Sequence, residues 1–335
     1  MKRRGARTFL AVLAMSVAAA CSSSGGTATT GSAATNGGSA STSAAAKVSI
    51  GIVGFASADQ TSQLAITGYR KVAKAKGWDV TYVDPAGSAD KAVAAMQNLV
   101  QKKVNIIVTA VFPAASLAGG AAAAKAAGIP VISLSGGTGD GVQVNYDAGI
   151  QQGKDIAAKL VADTGGKGQL LVLGYKSGLP CIEREAGLDA ALKGTSMVII
   201  RDEVPIPGQV EASIGFTQAW LAKNPKVGDG LAVWGCFDDP ALGAISAVAA
   251  AGRKDVKIYG INGEPAAIKA VEAGTITATI WLNAEAAGEQ MANNTEKYIA
   301  AGVNAAPTDV PIPSILVAAD TVKAFLAKYP QSVQQ

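Results

Sequence analysis

The chain has 335 residues, 49% of them hydrophobic and 5% aromatic, which is enough for two domains of ordinary size with substantial cores. Its formal charge of +4 reflects 29 basic against 25 acidic side chains, but Lys2, Arg3, Arg4 and Arg7 account for four of the 29. The remaining 25 against 25 lacks the basic footprint of a nucleic-acid binder, and the absence of histidine removes the usual hydrolase base and the commonest zinc ligand. No catalytic residue, metal site or cofactor is therefore expected.

At the N-terminus, basic residues 2–7 precede an apolar run of small residues at 8–20 (TFLAVLAMSVAAA), and Cys21 follows directly. That order predicts a signal peptide over 1–20. At 13 residues the run is too short to cross a hydrocarbon core of ~30 Å as a permanent helix. The segment resembles a bacterial lipoprotein signal, in which the cysteine after a small-residue box is diacylated. Here Ala18, Ala19 and Ala20 form the box, whereas that signal usually opens on Leu. The resemblance implies lipidation of Cys21 and stable anchoring by two acyl chains on the extracytoplasmic face of the cell membrane. A plain secretory signal with an incidental cysteine is the alternative. Residues 22–46, with neither charge nor aromatic ring, read as a flexible tether.

From Lys47 onward, strand-like runs alternate with helical patterns. The strands are expected at 48–55 (VSIGIVGF), 78–84, 105–110, 130–135, 169–175 (QLLVLGY), 197–204, 230–235, 256–261 and 275–282. Between them QLAITGYRKVAKAKG, DKAVAAMQNLVQKK and GKDIAAKLVADTG carry a 3.6-residue period. Near-continuous apolar strands separated by helices predict an α/β fold with parallel sheets covered on both faces. The series resets near residue 140, at SGGTGDG, which points to two doubly wound lobes with ligand at the carboxyl ends of the strands. A closed eight-stranded barrel is the rival arrangement. Gly136, Gly137, Gly139 and Gly141 lack the G-x-G-x-x-G spacing, and Gly166-Lys167 lacks the rest of a phosphate loop.

Six blocks in order, GYRKVAKAKGW, DKAVAAMQNLVQKKVNIIVTA, AAKAAGIPVISLS, EREAGLDAAL, DDPALGAISAVAAAG and VKIYGINGEPAAIKAVEAGTITATI, resemble the type I periplasmic binding proteins of the ribose-binding kind. The resemblance covers nearly all of 47–318. It implies three chain crossings, with lobe 1 formed by 47–137 plus 284–309 and lobe 2 by 138–283 plus 310–335. Sugar-responsive repressors share these lobes, but they carry a DNA-binding helix-turn-helix where this chain has a signal and tether.

In that family, aromatic rings and paired Asp, Asn and Arg grip the ligand from both lobes, since bidentate groups suit sugar hydroxyls. Carried over by position, the first-strand Asn and Phe pair fall on Asp59, Thr61 and Ser62. The carboxylate after the third strand falls near Phe112 and Pro113. The ligand Arg falls on Ile182, with Arg184 matching a structural Arg. The Asn before DDPALG falls on Phe237 beside Asp238, an FD pair falls on Ile261 and Asn262, and the last amide falls on Leu282, between Trp281 and Asn283. The implied site is Asp59, Thr61, Phe112, Ile182, Phe237, Asp238, Asn262 and Trp281, less polar than a pentose site and open to an apolar or aromatic ligand as well. Core packing is the alternative role for Phe112, Trp234 and Trp281. Helix capping is the alternative for Asp147 and Asp238, so Asp59 and Asn262 are the preferred polar ligand groups.

Cys181 and Cys236 follow strands expected to neighbour each other in lobe 2, and an exported chain lives where disulfides persist, so a bond between them is expected, with two free thiols as the alternative. The implied function is that of a monomeric solute-binding lipoprotein that closes on a small sugar-like molecule and delivers it to the membrane permease of an ABC importer. A sensor presenting ligand to a membrane receptor is a second reading. An enzyme in the same cleft is a third, and it lacks a nucleophile and base.

Overall fold

The computed structural model describes residues 47–228 and 230–334. The predicted signal peptide, Cys21 and the tether lie outside the described residues.

Two six-stranded sheets organise the chain. The first contains β1 (Ser49–Val53), β2 (Asp79–Val83), β3 (Ile106–Ala110), β4 (Val131–Leu134), β5 (Val144–Asp147) and β11 (Thr308–Pro311), in the order β11-β5-β4-β3-β1-β2, all parallel. The second contains β6 (Gln169–Gly174), β7 (Val198–Glu203), β8 (Leu231–Gly235), β9 (Lys257–Asn262), β10 (Ala278–Leu282) and β12 (Ser314–Ala318), in the order β12-β10-β9-β8-β6-β7. Only β12 runs antiparallel to its neighbour. Two open sheets exclude the barrel.

The central strands are apolar throughout because helices bury both faces: every residue of β3 (IIVTA) and β8 (LAVWG) is buried. In lobe 1 the helices are α1 (Gln60–Ala75), α2 (Ala89–Gln101), α3 (Ala118–Ala126), α9 (Ala284–Asn293) and α10 (Thr295–Ala301). Lobe 2 carries α4 (Ile150–Thr164), α5 (Leu179–Leu192), α6 (Gln209–Lys223), α7 (Asp238–Ala250), α8 (Pro265–Glu272) and α11 (Val322–Lys328). Side-chain caps set three entries: Asp59 accepts from the Ser62 N–H at the start of α1, Ser88 from the Lys91 N–H at the start of α2, and Asn283 from the Ala286 N–H at the start of α9. The tightest helix pair is α1 with α9. There Gly68 lies against the Glu285 carbonyl and Gly288 against the Ala65 carbonyl, so close that a Cβ on either would collide with backbone.

The chain passes between the lobes three times: after β5, between β10 and α9, and between β11 and β12. This moves two of the boundaries drawn from sequence. The first crossing follows Asp147 rather than Gly137, because the Gly-rich stretch leads into β5, which pairs with β4 in lobe 1. The third lies at 312–313 rather than 309–310, because residues 308–311 pair with β5.

Candidate functional site

The strand ends of both sheets converge on a cavity of about 700 Å³, open solvent at its mouth included. Its walls are built from the residues at which the strands stop. Phe55 follows β1, Val111 follows β3 and Ser135 follows β4, while from lobe 2 Tyr175 follows β6, Phe237 follows β8, and Asn262 and Leu282 end β9 and β10. This is where a doubly wound sheet leaves room for ligand. The backbone is strained at three of these positions: φ is +66° at Val111, +58° at Ser135 and +124° at Asn262. A β-branched residue at positive φ is a true outlier, and strain of this sort collects at ligand sites, where the surrounding fold holds it in place.

Direct bonds join the lobes at the polar end of the cavity. Thr61 Oγ1 donates to Glu264 Oε1 at 2.9 Å, and Gln209 Nε2, which donates to Asp239 of its own lobe at 2.7 Å, reaches the Ala58 carbonyl of lobe 1 at 3.5 Å. Asp59 accepts from the Ser62 N–H at 3.3 Å and from the Ser62 hydroxyl, and burial pushes its carboxyl above the usual range. Arg184, fully buried, donates to the Ala148 carbonyl at 3.0 Å and the Cys236 carbonyl at 2.8 Å, tying the first crossing to the end of β8. Burial lowers its pKa to about 10, against the pull of Asp238, Asp59, Asp147 and Glu183. Asp238 accepts from Thr279 Oγ1 at 2.7 Å and the Glu264 N–H at 2.8 Å, and burial raises its pKa too.

Cys181 and Cys236 form a disulfide with Cα atoms 5.2 Å apart, and Cys181 lies on the cavity wall. It joins the start of α5 to the end of β8 across 55 residues, a loop whose closure stabilises by about 4 kcal/mol in the chain-entropy model.

Of the residues singled out from sequence, Asp59, Thr61, Phe237 and Asn262 are brought together on this wall; the other four are not. Phe112 is 2% exposed and stands behind Phe55, ring centroids 4.8 Å apart, because the turn at Val111 sends it into the lobe 1 core. Ile182 is 40% exposed on α5, beyond Pro180 and Cys181, which face the cavity. Asp238 lies beneath the wall, occupied by Thr279 and the Glu264 N–H. Trp281 alternates with Leu282 along β10, so that when Leu282 faces the main cavity the indole turns away, onto Phe325 at 5.2 Å and Tyr329 at 4.8 Å. Trp234 is fully buried core.

The capping alternatives also change hands. Neither Asp147 nor Asp238 caps: α4 begins after Gly149 and α7 after Phe237, each without a side-chain cap bond. Asp59, read as a ligand group, is the residue that caps a helix. Sequence reasoning missed Phe55, Tyr175, Ile206, Gln209 and the place of Arg184 on the cavity wall. Phe55 and Tyr175 close the predicted strands VSIGIVGF and QLLVLGY, and their place at a strand's carboxyl end was the signal available.

Among the described residues no group of His, Cys, Asp and Glu is arranged to hold a metal ion, and no helix is long and apolar enough to cross a membrane. Residues 50–302 match the model of the periplasmic binding protein domain family. The ribose import binding protein of Escherichia coli (strain K12) is 27% identical over 216 residues, 64% of this chain and 72% of that protein. The xylitol-binding protein of Mycolicibacterium smegmatis is 26% identical over 219 residues, 63% of this chain and 61% of that protein. Among solved structures, an ABC transporter solute-binding protein from Agrobacterium vitis with bound allitol superposes with a TM-score of 0.78 at 28% identity, over 84% of this chain and 99% of that one. With its two parallel-sheet lobes, its cavity at the strand ends and a family match over 50–302, the chain belongs to the periplasmic binding proteins, a family of ABC-transporter solute binders rather than enzymes.

Proposed function

We propose that this protein captures a small polyhydroxylated solute, a sugar or a polyol, between its lobes and presents it to the permease of an ABC importer. The observation that carries this reading is the cavity itself, walled by strand ends from both lobes and bridged by hydrogen bonds from Thr61 and Gln209. Asp59, Ser135, Gln209 and Asn262 offer polar contacts to hydroxyls, and the faces of Phe55, Tyr175 and Phe237 suit the C–H side of a sugar or polyol. Relatives named for ribose and xylitol, and a similar solute-binding protein with allitol bound, support the same chemical class.

Closure follows from differential contact: ligand touching both walls favours the closed arrangement by the free energy of the contacts that the open one lacks. The same reading anchors a monomer to the extracytoplasmic face of the membrane through acyl chains on Cys21, with residues 22–46 as tether. A less polar ligand is the second reading, favoured by the apolar stretch of Val111, Leu134, Ile206, Leu282 and Ile312 on the wall.

Thermal-shift screening against pentoses, hexoses, alditols, cyclitols and small aromatic compounds tests both. A saturating ligand at a hundred times its Kd stabilises by about 2.7 kcal/mol, which a melting curve resolves. A sugar or polyol hit is expected. Hits confined to aromatic compounds select the second reading, and a panel without hits contradicts both.

A further inference from the structure

The three crossings between the lobes form the hinge end of the main cavity, and every side chain they bring to its wall is apolar: Ala148 at the first, Leu282 and Ala284 at the second, Ile312 at the third. None of these is more than 7% exposed, nor is Leu134 at the end of β4, the strand beside β5. Backbone groups there are engaged too. The Ala148 carbonyl accepts from Arg184 Nε at 3.0 Å, the Ile312 N–H donates to the Asp147 carbonyl at 2.8 Å, and Leu282 is paired with Ser314 across β10 and β12. Arg184 leads away from this end, since its Nη1 donates to the Cys236 carbonyl just past β8, two strands in from β10.

Away from the crossings the wall mixes apolar and polar side chains. Ser135 and Asn262 stand at the ends of β4 and β9, each one strand in from a strand that crosses. Asp59 and Gln209 open α1 and α6, which follow β1 and β7 toward the opposite edge of each sheet, and there Gln209 reaches the Ala58 carbonyl. The cavity therefore has a direction, with hydrogen-bonding side chains across its middle and far end and hydrocarbon at the hinge. A hydroxyl pressed against the hinge end gives up its water without gaining a partner, whereas a methyl group there gains from burial. Asp59, Gln209 and Asn262 set the opposite demand, because a solute apolar throughout would desolvate them without offering them a bond.

We infer that the solute is a sugar or polyol with a deoxy terminus, lying with its methyl group at the hinge against Leu282 and Ile312 and its hydroxyls toward Asp59, Gln209 and Asn262. Leu282 and Ile312 are the residues that select the deoxy compound over its hydroxylated parent. This rests on the reading that a polyhydroxylated solute occupies the interlobe cleft.

The test is calorimetric titration of the full-length protein with pairs that differ only in a terminal hydroxyl: L-fucose and L-galactose, L-rhamnose and L-mannose, L-fucitol and galactitol, 5-deoxy-D-ribose and D-ribose. In the pairs that bind, the deoxy member is expected to bind at least about tenfold more tightly than its parent. Leu282→Gln and Ile312→Thr each place a hydrogen-bonding group at the hinge end, and each is expected to shrink that ratio by about threefold or more, with the parent gaining affinity. Any parent that binds the wild-type protein as tightly as its deoxy partner overturns the inference without recourse to a variant. So does a ratio left unchanged in both variants when they melt cooperatively. If none of these compounds binds while another sugar or polyol does, this inference falls and the cleft reading stands; if no polyhydroxylated compound binds, both fall.

Discussion

Lobe 2 meets the cleft with charged, cross-braced chemistry: Arg184 tied to the Ala148 and Cys236 carbonyls, Asp238 bonded twice, and the Cys181–Cys236 disulfide on the wall. Lobe 1 meets it with Phe55, Val111 and Leu134, a single carboxylate at Asp59, and two strained strand ends at Val111 and Ser135. Both lobes repeat one parallel-sheet plan, so the fold does not dictate this difference. The division suggests that lobe 2 fixes the one cation of the wall before ligand arrives, while both lobes supply apolar surface to be buried against ligand, Phe55, Val111 and Leu134 from lobe 1 and Tyr175, Phe237 and Leu282 from lobe 2. Polar groups need exact partners and gain from preorganisation; apolar burial is non-directional and tolerates the movement of a closing lobe.

The harshest way to break the comparison is to remove the brace. Arg184→Met keeps volume and loses the charge, leaving Asp238 and Asp59 buried without their cation. A loss of about 3–5 kcal/mol in urea unfolding is expected. A change below about 1 kcal/mol would place the organisation of lobe 2 elsewhere, in the disulfide or the packing.

A milder probe addresses the seam where β5 of lobe 1 hands the chain to lobe 2. Glu183 on α5 is pushed from the ordinary 4.5 to about 7, first by burial and then by the neighbouring Asp147 and Asp309 carboxylates. Between those two values the folded protein keeps a proton that the unfolded chain has released, so stability falls as pH rises through that window. The melting temperature should therefore drift down from pH 5 to pH 7.5, and Glu183→Gln should flatten the drift. An unchanged slope in that variant would assign the pH dependence to the buried acids around Asp238 instead.

Much of the fold was legible because it rests on period and polarity. Nine apolar runs were readable as strands, and the two-lobe plan followed from the break near residue 140. The three strands that escaped, β5 (VNYD), β11 (TDVP) and β12 (SILVA), are four or five residues long; β5 interrupts its apolar run with Asn145, and β11 carries polar residues and a proline at the sheet edge, where pairing rather than burial defines the strand. At the site, positional carry-over placed Asp59, Thr61, Phe237 and Asn262 on the cavity wall. It failed where a side chain's direction depends on geometry that no pattern reveals: the turn at Val111 that buries Phe112, and the strand alternation that aims Trp281 at Tyr329 while Leu282 faces the cavity. Glu264 was invisible for a related reason, since its importance lies in a hydrogen bond to Thr61, 203 residues away in sequence.

The central claim is that both walls hold one solute at once. Calorimetric titration of the tightest-binding sugar or polyol from the thermal-shift panel tests it most directly, using wild type, Asp59→Asn on lobe 1 and Phe237→Ala on lobe 2; Asn preserves the helix cap that Asp59 provides. One site per chain, with affinity reduced about tenfold or more by each substitution, is the expected result. Unchanged affinity in either variant would mean that one lobe binds alone, and would contradict closure around the ligand.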